Sequence, residues 1–318
     1  MKIRKVGIIG LGHVGAHCAY SLIAQGIVDE LILVDLRDKK VVSEVQDLHD
    51  ALMYSPHIVN INQGTYSDLG DCDVIINAVG DIRLCALEDR INEMNYTTAQ
   101  VKAMVPKVMA SGFNGLVVSI SNPCDVIANI FYQLSGLPKN KIFGTGTGLD
   151  TSRLVSQLSQ QTKISPQSIS AYMIGEHGAS QMAAWSCVNF GGVPLSNLEK
   201  LGAPFNFDKD KLQYRAIRGG WVTYRGKQCT EYGICSTAAR MVSCILHDEK
   251  RIMPASTLLD GEYGERDVFA GVPCLIGANG IERIMELPLT DKEKAQFHSC
   301  CEDIRKNIQI AATISPAE

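Results

Sequence analysis

The amino-acid sequence predicts an α/β protein, with a doubly wound parallel sheet followed by a mixed α+β lobe. In the first half, short apolar runs alternate with segments of helical periodicity. After about residue 145, longer helices and a hairpin pattern replace that alternation. Continuous apolar strands between helices are typical of a parallel sheet covered on both faces, and right-handed crossovers make such a sheet doubly wound.

The first half contains the predicted parallel strands and the helices that cover them. Apolar runs of strand length lie at residues 6–9, 31–34, 58–61, 73–79, 116–120 and 141–143. Helices are predicted at residues 16–25 with Gly26 as the cap, over the periodic run Val41, Val42, Val45 and Leu48, at about 88–111 and at 125–134. We assign these elements to a first domain of residues 1–144.

The second half has a mixed pattern. Helices are predicted at residues 149–162, 211–225, 230–247 and from 291 onward. Strands are predicted at residues 168–174 and 182–190, with a hairpin of 252–258 and 268–276 and a turn at 278–280. We assign residues 145–318 to a second, substrate-binding domain. Because no Pro/Gly/Ser-rich linker separates the two domains, we expect them to share a cleft.

Composition excludes several classes of protein. The chain has 318 residues, 46% hydrophobic and 20% charged, which excludes a disordered protein. A net charge of −4 without a basic stripe argues against nucleic-acid binding. No apolar run approaches the roughly 18 residues of a membrane span, and the N-terminus resembles no signal peptide. The eleven cysteines form no C-x-x-C pair, so we expect reduced thiols, a cytoplasmic location and no metal.

A glycine-rich turn marks a candidate cofactor site. The motif Gly10-Leu-Gly12-His13-Val14-Gly15 follows a predicted strand and opens a helix. In a Rossmann-type fold these glycines permit the tight turn, the approach of a pyrophosphate and close helix–strand packing. Asp35 ends the next strand, where a carboxylate binds the adenosine ribose and disfavours a 2′-phosphate. The motif therefore predicts NAD as the cofactor, although turn glycines and a solvated strand end also occur without one.

Three polar residues of the second half are candidates for catalysis. His177 lies in the glycine-flanked sequence Gly175-Glu-His-Gly, which suits a general base, although a structural histidine is the alternative. Such a base needs an acid to orient it, and Asp150 is the candidate. Arg153 shares a helix face with Asp150, and its fork of donors suits a carboxylate.

Two loops after strands of the first half complete the candidate site. Asn122, in Ser121-Asn-Pro, lies where the sheet ends and ligands of such folds bind, although a plain Asn-Pro turn is the alternative. The polar segment of residues 80–90 suits a mobile lid, although it could equally be an ordinary exposed loop.

Together these motifs resemble those of the NAD-dependent lactate/malate dehydrogenase family, in the family's order and over essentially the whole chain. Within the family the chain is most similar to L-2-hydroxyisocaproate dehydrogenases, in Gly144-Thr-Gly-Thr, Leu149-Asp-Thr and Thr230 with Tyr232-Gly233. The resemblance implies an NAD-dependent L-2-hydroxy acid dehydrogenase, of L-lactate or L-2-hydroxyisocaproate type. It also implies a small 2-oxo or 2-hydroxy acid as substrate and a homo-oligomer, either a dimer or a tetramer.

The resemblance also implies a role for each site residue. His177 accepts the hydroxyl proton while a hydride leaves for the nicotinamide, and Asp150 orients the imidazole. Arg153 binds the substrate carboxylate, and Arg90 on the lid polarises the carbonyl. Asn122 contacts the substrate oxygen and the nicotinamide ribose. Further contacts are implied for Thr230 with the substrate, and with the cofactor for His13, Val14, Ala78 and Gly80.

The lid segment of residues 80–90 does not decide which 2-oxo acid is the substrate, because it is one residue longer than the usual family loop. Counted forward from Gly80, Arg83 takes the place of the arginine with which malate dehydrogenases bind a second carboxylate. Counted back from Arg90, Leu84 takes that place, which suits an apolar tail. We favour the apolar tail, because the hydroxyisocaproate-type enzymes that the chain resembles also have a basic residue followed by leucine here, and Thr230 resembles the lactate-type pocket. A guanidinium facing an alkyl group would be unpaired and costly. The alternatives are a malate dehydrogenase and, in another class, a non-catalytic NAD-sensing module.

Overall fold

The structure, a computed structural model, describes residues 2–84 and 91–318. The first half alternates strands and helices, and each strand is a run of apolar residues buried by the helices around it. In chain order these elements are β1 (Lys5–Ile9), α1 (His13–Ala24), β2 (Glu30–Val34), α2 (Asp38–Leu52), β3 (Asn60–Gln63), β4 (Val74–Asn77), α3 (Ile91–Ala110), β5 (Leu116–Ser119), α4 (Cys124–Ser135) and β6 (Ile142–Gly144).

The second half begins with a long helix, continues with short strands and ends with a helix. Its elements are α5 (Gly148–Thr162), β7 (Ile169–Ser170), β8 (Met173–Ile174), β9 (Met182–Ala183), β10 (Asn189–Phe190), β11 (Val193–Pro194), α6 (Leu195–Leu198), α7 (Lys209–Lys227), α8 (Tyr232–Leu246), β12 (Arg251–Asp260), β13 (Arg266–Gly277), β14 (Gly280–Ile284) and α9 (Asp291–Ala312).

Six parallel strands form the first part of the main sheet, in the order β3-β2-β1-β4-β5-β6. The strand order reverses between β1 and β4, so the loops after these strands diverge and leave a crevice at their carboxyl ends. This arrangement confirms the predicted α/β, doubly wound fold class. It brings the loops that follow β1, β4 and β5 to one edge of the sheet.

The main sheet continues beyond the parallel strands with β12, β13 and β14, which are antiparallel. Gly144 of β6 pairs with Ser256 of β12, and a Cβ atom on Gly146 would lie 2.5 Å from the amide nitrogen of Ser256. Two residues without side chains therefore let the hairpin join the sheet. The turn at residues 278–280 connects β13 to β14, a strand that the sequence analysis did not predict.

Three strand predictions were wrong in detail. The run 58–61 is not a strand as a whole, because Ile58 is 81% exposed and β3 begins at Asn60. The run 168–174 divides because β7 pairs with β10 whereas β8 pairs with β9. The run 182–190 divides for the same reason, since β9 and β10 belong to different sheets. In α2, Val42 faces outward and is 56% exposed, unlike its buried neighbour Val41.

The largest apolar core extends across both halves of the chain. Leu22 and Ile23 of α1 belong to the same buried cluster as Met241 and Val242 of α8. Helices α1 and α8 pack on each other, so the start of α1 is positioned by both halves. Within residues 2–84 and 91–318, no helix is both long and apolar enough to cross a membrane.

Candidate active site

The turn between β1 and α1 depends on close backbone contacts at two glycines and open space at a third. Gly10 has φ +92°, and a Cβ on it would lie 2.7 Å from the carbonyl oxygen of Ala78. A Cβ on Gly15 would lie 1.9 Å from the carbonyl oxygen of Gly10, whereas one on Gly12 would meet nothing within 4 Å. The open side of the turn leaves the amides at the start of α1 accessible, which suits a phosphate.

Asp35, at the end of β2, has an ionised carboxylate. Its Oδ2 accepts a hydrogen bond from the amide of Leu11 at 2.7 Å, and Oδ1 accepts from Nε of Arg37 at 2.9 Å. Burial alone would raise the pKa of Asp35, but the hydrogen bonds from Arg37 and Leu11 outweigh it and lower the pKa. The carboxylate therefore lies at the rim of the crevice with its charge fixed.

A cavity of about 760 Å³ lies at the carboxyl ends of the parallel strands and between the two halves. That volume is within the range of small-molecule and cofactor sites. Its wall includes most of the predicted site residues, namely Gly10, Gly12, His13, Val14, Asp35, Ala78, Gly80, Arg83, Asn122, His177 and Thr230. The structure thus brings the glycine turn, Asn122 and the candidate base to one space.

The imidazole of His177 is held by a buried carboxylate. Nδ1 of His177 lies 2.6 Å from Oδ2 of Asp150, whose side chain is 1% exposed. Burial alone would raise the pKa of Asp150, but His177 and Arg153 outweigh it and lower the pKa. An ionised Asp150 accepts a hydrogen bond from the Nδ1–H group of His177, which leaves Nε2 of His177 to exchange a proton with a ligand.

The same carboxylate also positions an arginine. Nη1 of Arg153 donates a hydrogen bond to Oδ1 of Asp150 at 3.0 Å, from one turn further along α5. The guanidinium lies against α7 at two glycines. A Cβ on Gly219 would lie 3.2 Å from Cδ of Arg153, and a Cβ on Gly220 would lie 3.2 Å from Nη2. The position of Arg153 therefore depends on both α5 and α7.

A charged cluster joins the glycine turn to the segment that carries Thr230. The buried carboxylate of Glu231 lies 3.4 Å from Nδ1 of His13 and 3.4 Å from Nε2 of His17. It also accepts a hydrogen bond from Nζ of Lys227 at 3.1 Å. These contacts connect the start of α1 to the start of α8, so the two walls of the cavity are positioned together.

The lid segment is described only in part. Arg90 lies outside the described residues, as does the rest of the segment from 85 to 90. Arg83 lies in the cavity wall, where its Nε and Nη2 donate to Asp81 at 2.8 Å and 2.6 Å. These hydrogen bonds lower the pKa of Asp81. Leu84 is half-buried and lies outside the described wall of the cavity.

Comparison with known proteins identifies the family. Residues 4–144 match the NAD binding domain of lactate/malate dehydrogenases, and residues 147–314 match the alpha/beta C-terminal domain of the same enzymes. The chain belongs to the lactate/malate dehydrogenase family. This membership confirms the resemblance predicted from the motifs. NAD is the cofactor of the family's N-terminal domain, and it is therefore the cofactor of this chain.

Known relatives of this family member cover nearly its whole length. An L-lactate dehydrogenase of Fusobacterium nucleatum is 41% identical over 313 residues, 98% of each chain. L-lactate dehydrogenase 3 of Bacillus cereus is 40% identical over 92% of this chain and 93% of its own. Both relatives are oxidoreductases by name, so the family member is an NAD-dependent oxidoreductase of this type. The alternative of a non-catalytic NAD-sensing module is not supported.

Solved structures of the family have the same fold. The lactate dehydrogenase MGS-M5, from a deep-sea metagenome library, has a TM-score of 0.94 at 32% identity and covers 98% of this chain and 100% of its own. A minor L-lactate dehydrogenase of Enterococcus mundtii, in a ligand-bound form, has a TM-score of 0.91 at 34% identity, covering 97% and 98%. The similarity includes both halves of the family member.

Sequence reasoning missed three polar residues of the site. Asp125 accepts a hydrogen bond from the amide of His177, and its second oxygen accepts one from Ser256. Gln181 donates a hydrogen bond from Nε2 to the carbonyl oxygen of Gly178 at 2.7 Å. Its side chain also forms a hydrogen bond with Asp150. Asp125 is the one charged residue of the mostly apolar helix α4, which was a signal for it. Nothing in the sequence singled out Gln181 or Ser256.

Serine in place of Asp35 is expected to weaken NADH binding and to strengthen NADPH binding. The variant loses the ribose acceptor and releases Arg37, whose guanidinium can then contact a 2′-phosphate. We expect the dissociation constant for NADH to rise about tenfold, as for loss of one hydrogen bond to a charged group. Fluorescence titration with both nucleotides measures the change. Asp38→Ser, at an exposed acid on α2, is the matched control, and an unchanged NADH/NADPH ratio in Asp35→Ser would contradict the assignment.

Proposed function

We propose that this chain interconverts 2-oxo acids and L-2-hydroxy acids that carry one carboxylate and an apolar tail, with L-lactate and its branched-chain homologues as the substrate class. The observation that carries the proposal is a single ionised carboxylate, Asp150, that holds both His177 and Arg153. An acid–base group, which lies in the same cavity wall as the cofactor turn, and a carboxylate-binding group are thereby fixed relative to each other. The names of the two relatives, both L-lactate dehydrogenases, support the same class.

In the proposed mechanism His177 moves the proton. In the direction of reduction, protonated His177 donates a proton from Nε2 to the carbonyl oxygen of the 2-oxo acid, and in reverse it accepts the hydroxyl proton. Bound NADH supplies the hydride for the 2-carbon. Asp150 keeps the proton on Nδ1 and stabilises the imidazolium.

The other residues of the mechanism bind and orient the acid. Arg153 binds the substrate carboxylate through the donors that Asp150 does not use. Asn122 and Thr230, in the cavity wall, contact the substrate. We assign the polarisation of the carbonyl oxygen to Arg90. With these groups in place, the carbonyl carbon faces the cofactor side of the cavity.

One feature of the cavity wall favours an apolar tail over a second carboxylate. The guanidinium of Arg83 is already bound to Asp81, so a distal carboxylate would have to displace that partner. A dicarboxylate of the malate type is the second candidate, because Arg83 does lie in the cavity wall.

The substrate is tested with a panel of 2-oxo acids. We expect NADH oxidation to be faster with pyruvate, 4-methyl-2-oxopentanoate or phenylpyruvate than with oxaloacetate. Arg83→Gln is expected to change these rates by less than about threefold, because an exposed ion pair contributes little. Leu84→Gln is expected to lower kcat/KM for 4-methyl-2-oxopentanoate about tenfold, by removing an apolar contact.

Two results of this panel would contradict the proposal. Preference for oxaloacetate that is lost in Arg83→Gln would make the chain a malate dehydrogenase and place Arg83 on the second carboxylate. NADH binding without turnover of any 2-oxo acid would remove the acid–base role of His177.

We further propose that residues 1–144 form the cofactor domain and residues 145–318 the catalytic domain. The two family matches, to residues 4–144 and 147–314, support this division. We also propose a homo-oligomer, a dimer or a tetramer. Three large apolar side chains that follow the end of α2 support it, with exposed fractions of 80% for Met53, 90% for Tyr54 and 81% for Ile58.

We propose a cytoplasmic location. In the ranges 2–84 and 91–318 every cysteine is a free thiol, and all but one are buried. Reduced thiols without any disulfide are typical of a reducing compartment.

A further inference from the structure

Asp125 is a buried acid that the proposed mechanism does not use. It lies in the first turn of α4 and is 2% exposed. Its Oδ2 accepts a hydrogen bond from the amide of His177 at 2.9 Å, and Oδ1 accepts from the hydroxyl of Ser256 at 2.5 Å. Among the described residues, no lysine or arginine forms an ion pair with it. Both partners are neutral donors, so they do not balance the carboxylate's charge.

The hydrogen bond from the amide of His177 to Asp125 holds the loop Gly175-Glu-His-Gly, which is also held at Gly175. Gly175 pairs with Gly271 through two backbone hydrogen bonds of 2.9 Å and 2.8 Å. Asp150 of α5 then holds the ring of His177, and Asp125 of α4 holds its main chain. Because two carboxylates on different helices hold one histidine, neither the backbone nor the ring of His177 is free to turn alone.

An ionised Asp125 costs stability. Burial raises the pKa of Asp125 from its usual value of 3.8 to about 6, in spite of the hydrogen bonds from Ser256 and His177. A raised pKa in the folded state means that the stability contributed by this group is present below pH 3.8. That contribution is lost as the pH rises through about 6. A neutral amide of the same shape would avoid this cost, so stability does not explain the acid at this position. The hydrogen bond from the amide of His177 connects the acid to the candidate base.

We propose that Asp125 is a positioning residue for the reaction. Its carboxylate holds the main chain of His177, and its negative charge favours the protonated imidazole that donates to the 2-oxo acid. The proposal rests on the proposed role of His177 as the acid. Few titratable and charged groups surround Asp125 and His177, so their effects can be separated by substitution. They are Glu176 of the loop that carries His177, Cys124 of α4, Asp150 and Arg153 of α5, and Cys301 of α9.

The test separates the charge of Asp125 from its hydrogen bond. Asp125→Asn keeps an acceptor oxygen for the amide of His177 and removes the charge. We expect the pH at which kcat/KM for 2-oxo acid reduction is half-maximal to fall by roughly 0.5–1 unit, because a nearby negative charge no longer favours the imidazolium. Ser256→Ala, which removes the donor that lowers the pKa of Asp125, is expected to shift the midpoint in the same direction by less.

A second measurement needs no turnover. The imidazole of His177 is titrated by NMR in the cofactor-free protein and assigned by its absence in His177→Asn. We expect the same downward shift of the titration midpoint in Asp125→Asn, together with a melting temperature at pH 7.5 no lower than that of the wild type. Asp260→Asn, at an exposed acid on β12, carries the same change of charge and is expected to leave the midpoint unchanged.

The two measurements distinguish the proposals from each other. A wild type that binds NADH but reduces no 2-oxo acid would overturn the proposed function and leave the NMR titration to decide on Asp125. A titration midpoint within about 0.2 unit of the wild type in both Asp125→Asn and Ser256→Ala would overturn the inference. Asp125 would then be a structural acid only, even if the variants turned over more slowly.

Discussion

Asparagine in place of His177 is expected to lower kcat for 2-oxo acid reduction about 10³-fold, since a positioned general acid contributes 10²- to 10⁴-fold. Asparagine is close in size to histidine but cannot deliver a proton at neutral pH. The affinity for NADH is expected to stay within about twofold, because the pyrophosphate amides at the start of α1 are untouched. Steady-state kinetics and fluorescence titration of NADH measure the two quantities separately.

Asp150→Asn is the companion of this variant, because the two residues act as a unit. It keeps the packing of α5 but removes the charge that stabilises the imidazolium. The double variant is expected to be no slower than the slower single variant, since effects of coupled residues do not add. A kcat within tenfold of the wild type in His177→Asn would show that the proton comes from elsewhere. Additive losses in the double variant would show that His177 and Asp150 act independently.

Lysine in place of Arg153 is expected to lower kcat/KM for 2-oxo acids about 100-fold, mostly through KM. The substitution keeps the charge but replaces a planar fork of donors by a single ammonium group. One ammonium cannot donate to Asp150 and hold both oxygens of a substrate carboxylate in one plane. Initial rates over a range of 2-oxo acid, at saturating NADH, separate KM from kcat.

Two glycines of α7 provide graded controls for this prediction. A Cβ on Gly220 would lie 3.2 Å from Nη2 of Arg153, so Gly220→Ala displaces the guanidinium without changing its charge. We expect a loss of about tenfold, as for misplacement of one hydrogen bond to a charged group. A Cβ on Gly226, in the same helix, meets nothing within 4 Å, so Gly226→Ala is expected to have no effect. Equal effects of the two alanine variants would contradict this prediction and show that the guanidinium of Arg153 adjusts to the added Cβ atom.

The parallel half of the fold could be predicted because its strands are buried on both faces. Such strands appear as continuous apolar runs, of which β1, β2, β4, β5 and β6 are examples. The division of two predicted runs into the short strands β7 to β10 could not be predicted, nor could β11, since two residues are too few for a period to be visible. The junction of β6 with β12 depends on contacts of Gly144 and Gly146 with a segment more than 100 residues away.

The site could be predicted where its residues belong to a motif with a mechanism. His177, Asp150 and Arg153 lie in motifs whose spacing suits an acid–base group, its orienting acid and a carboxylate-binding group, and the structure brings them into contact. Asp125 was missed because it acts on the main chain of His177, and a sequence gives no sign of which amide an acid will bind. The two registers of the lid, through Arg83 or through Leu84, are separated by one residue, so the preference for Leu84 comes from the family resemblance and not from spacing.

The continuous sheet limits how this chain can be recombined with its relatives. A chimera joined after residue 144 would keep the cofactor turn from one parent and the histidine loop from the other. The chimera would also take Gly144 and Ser256, which pair across the sheet, from different parents. Ser256 is, in addition, one of the two hydrogen-bond donors to Asp125. The two halves are therefore not interchangeable parts. A crossover at their boundary would have to take β6, β12 and the first turn of α4 from the same parent.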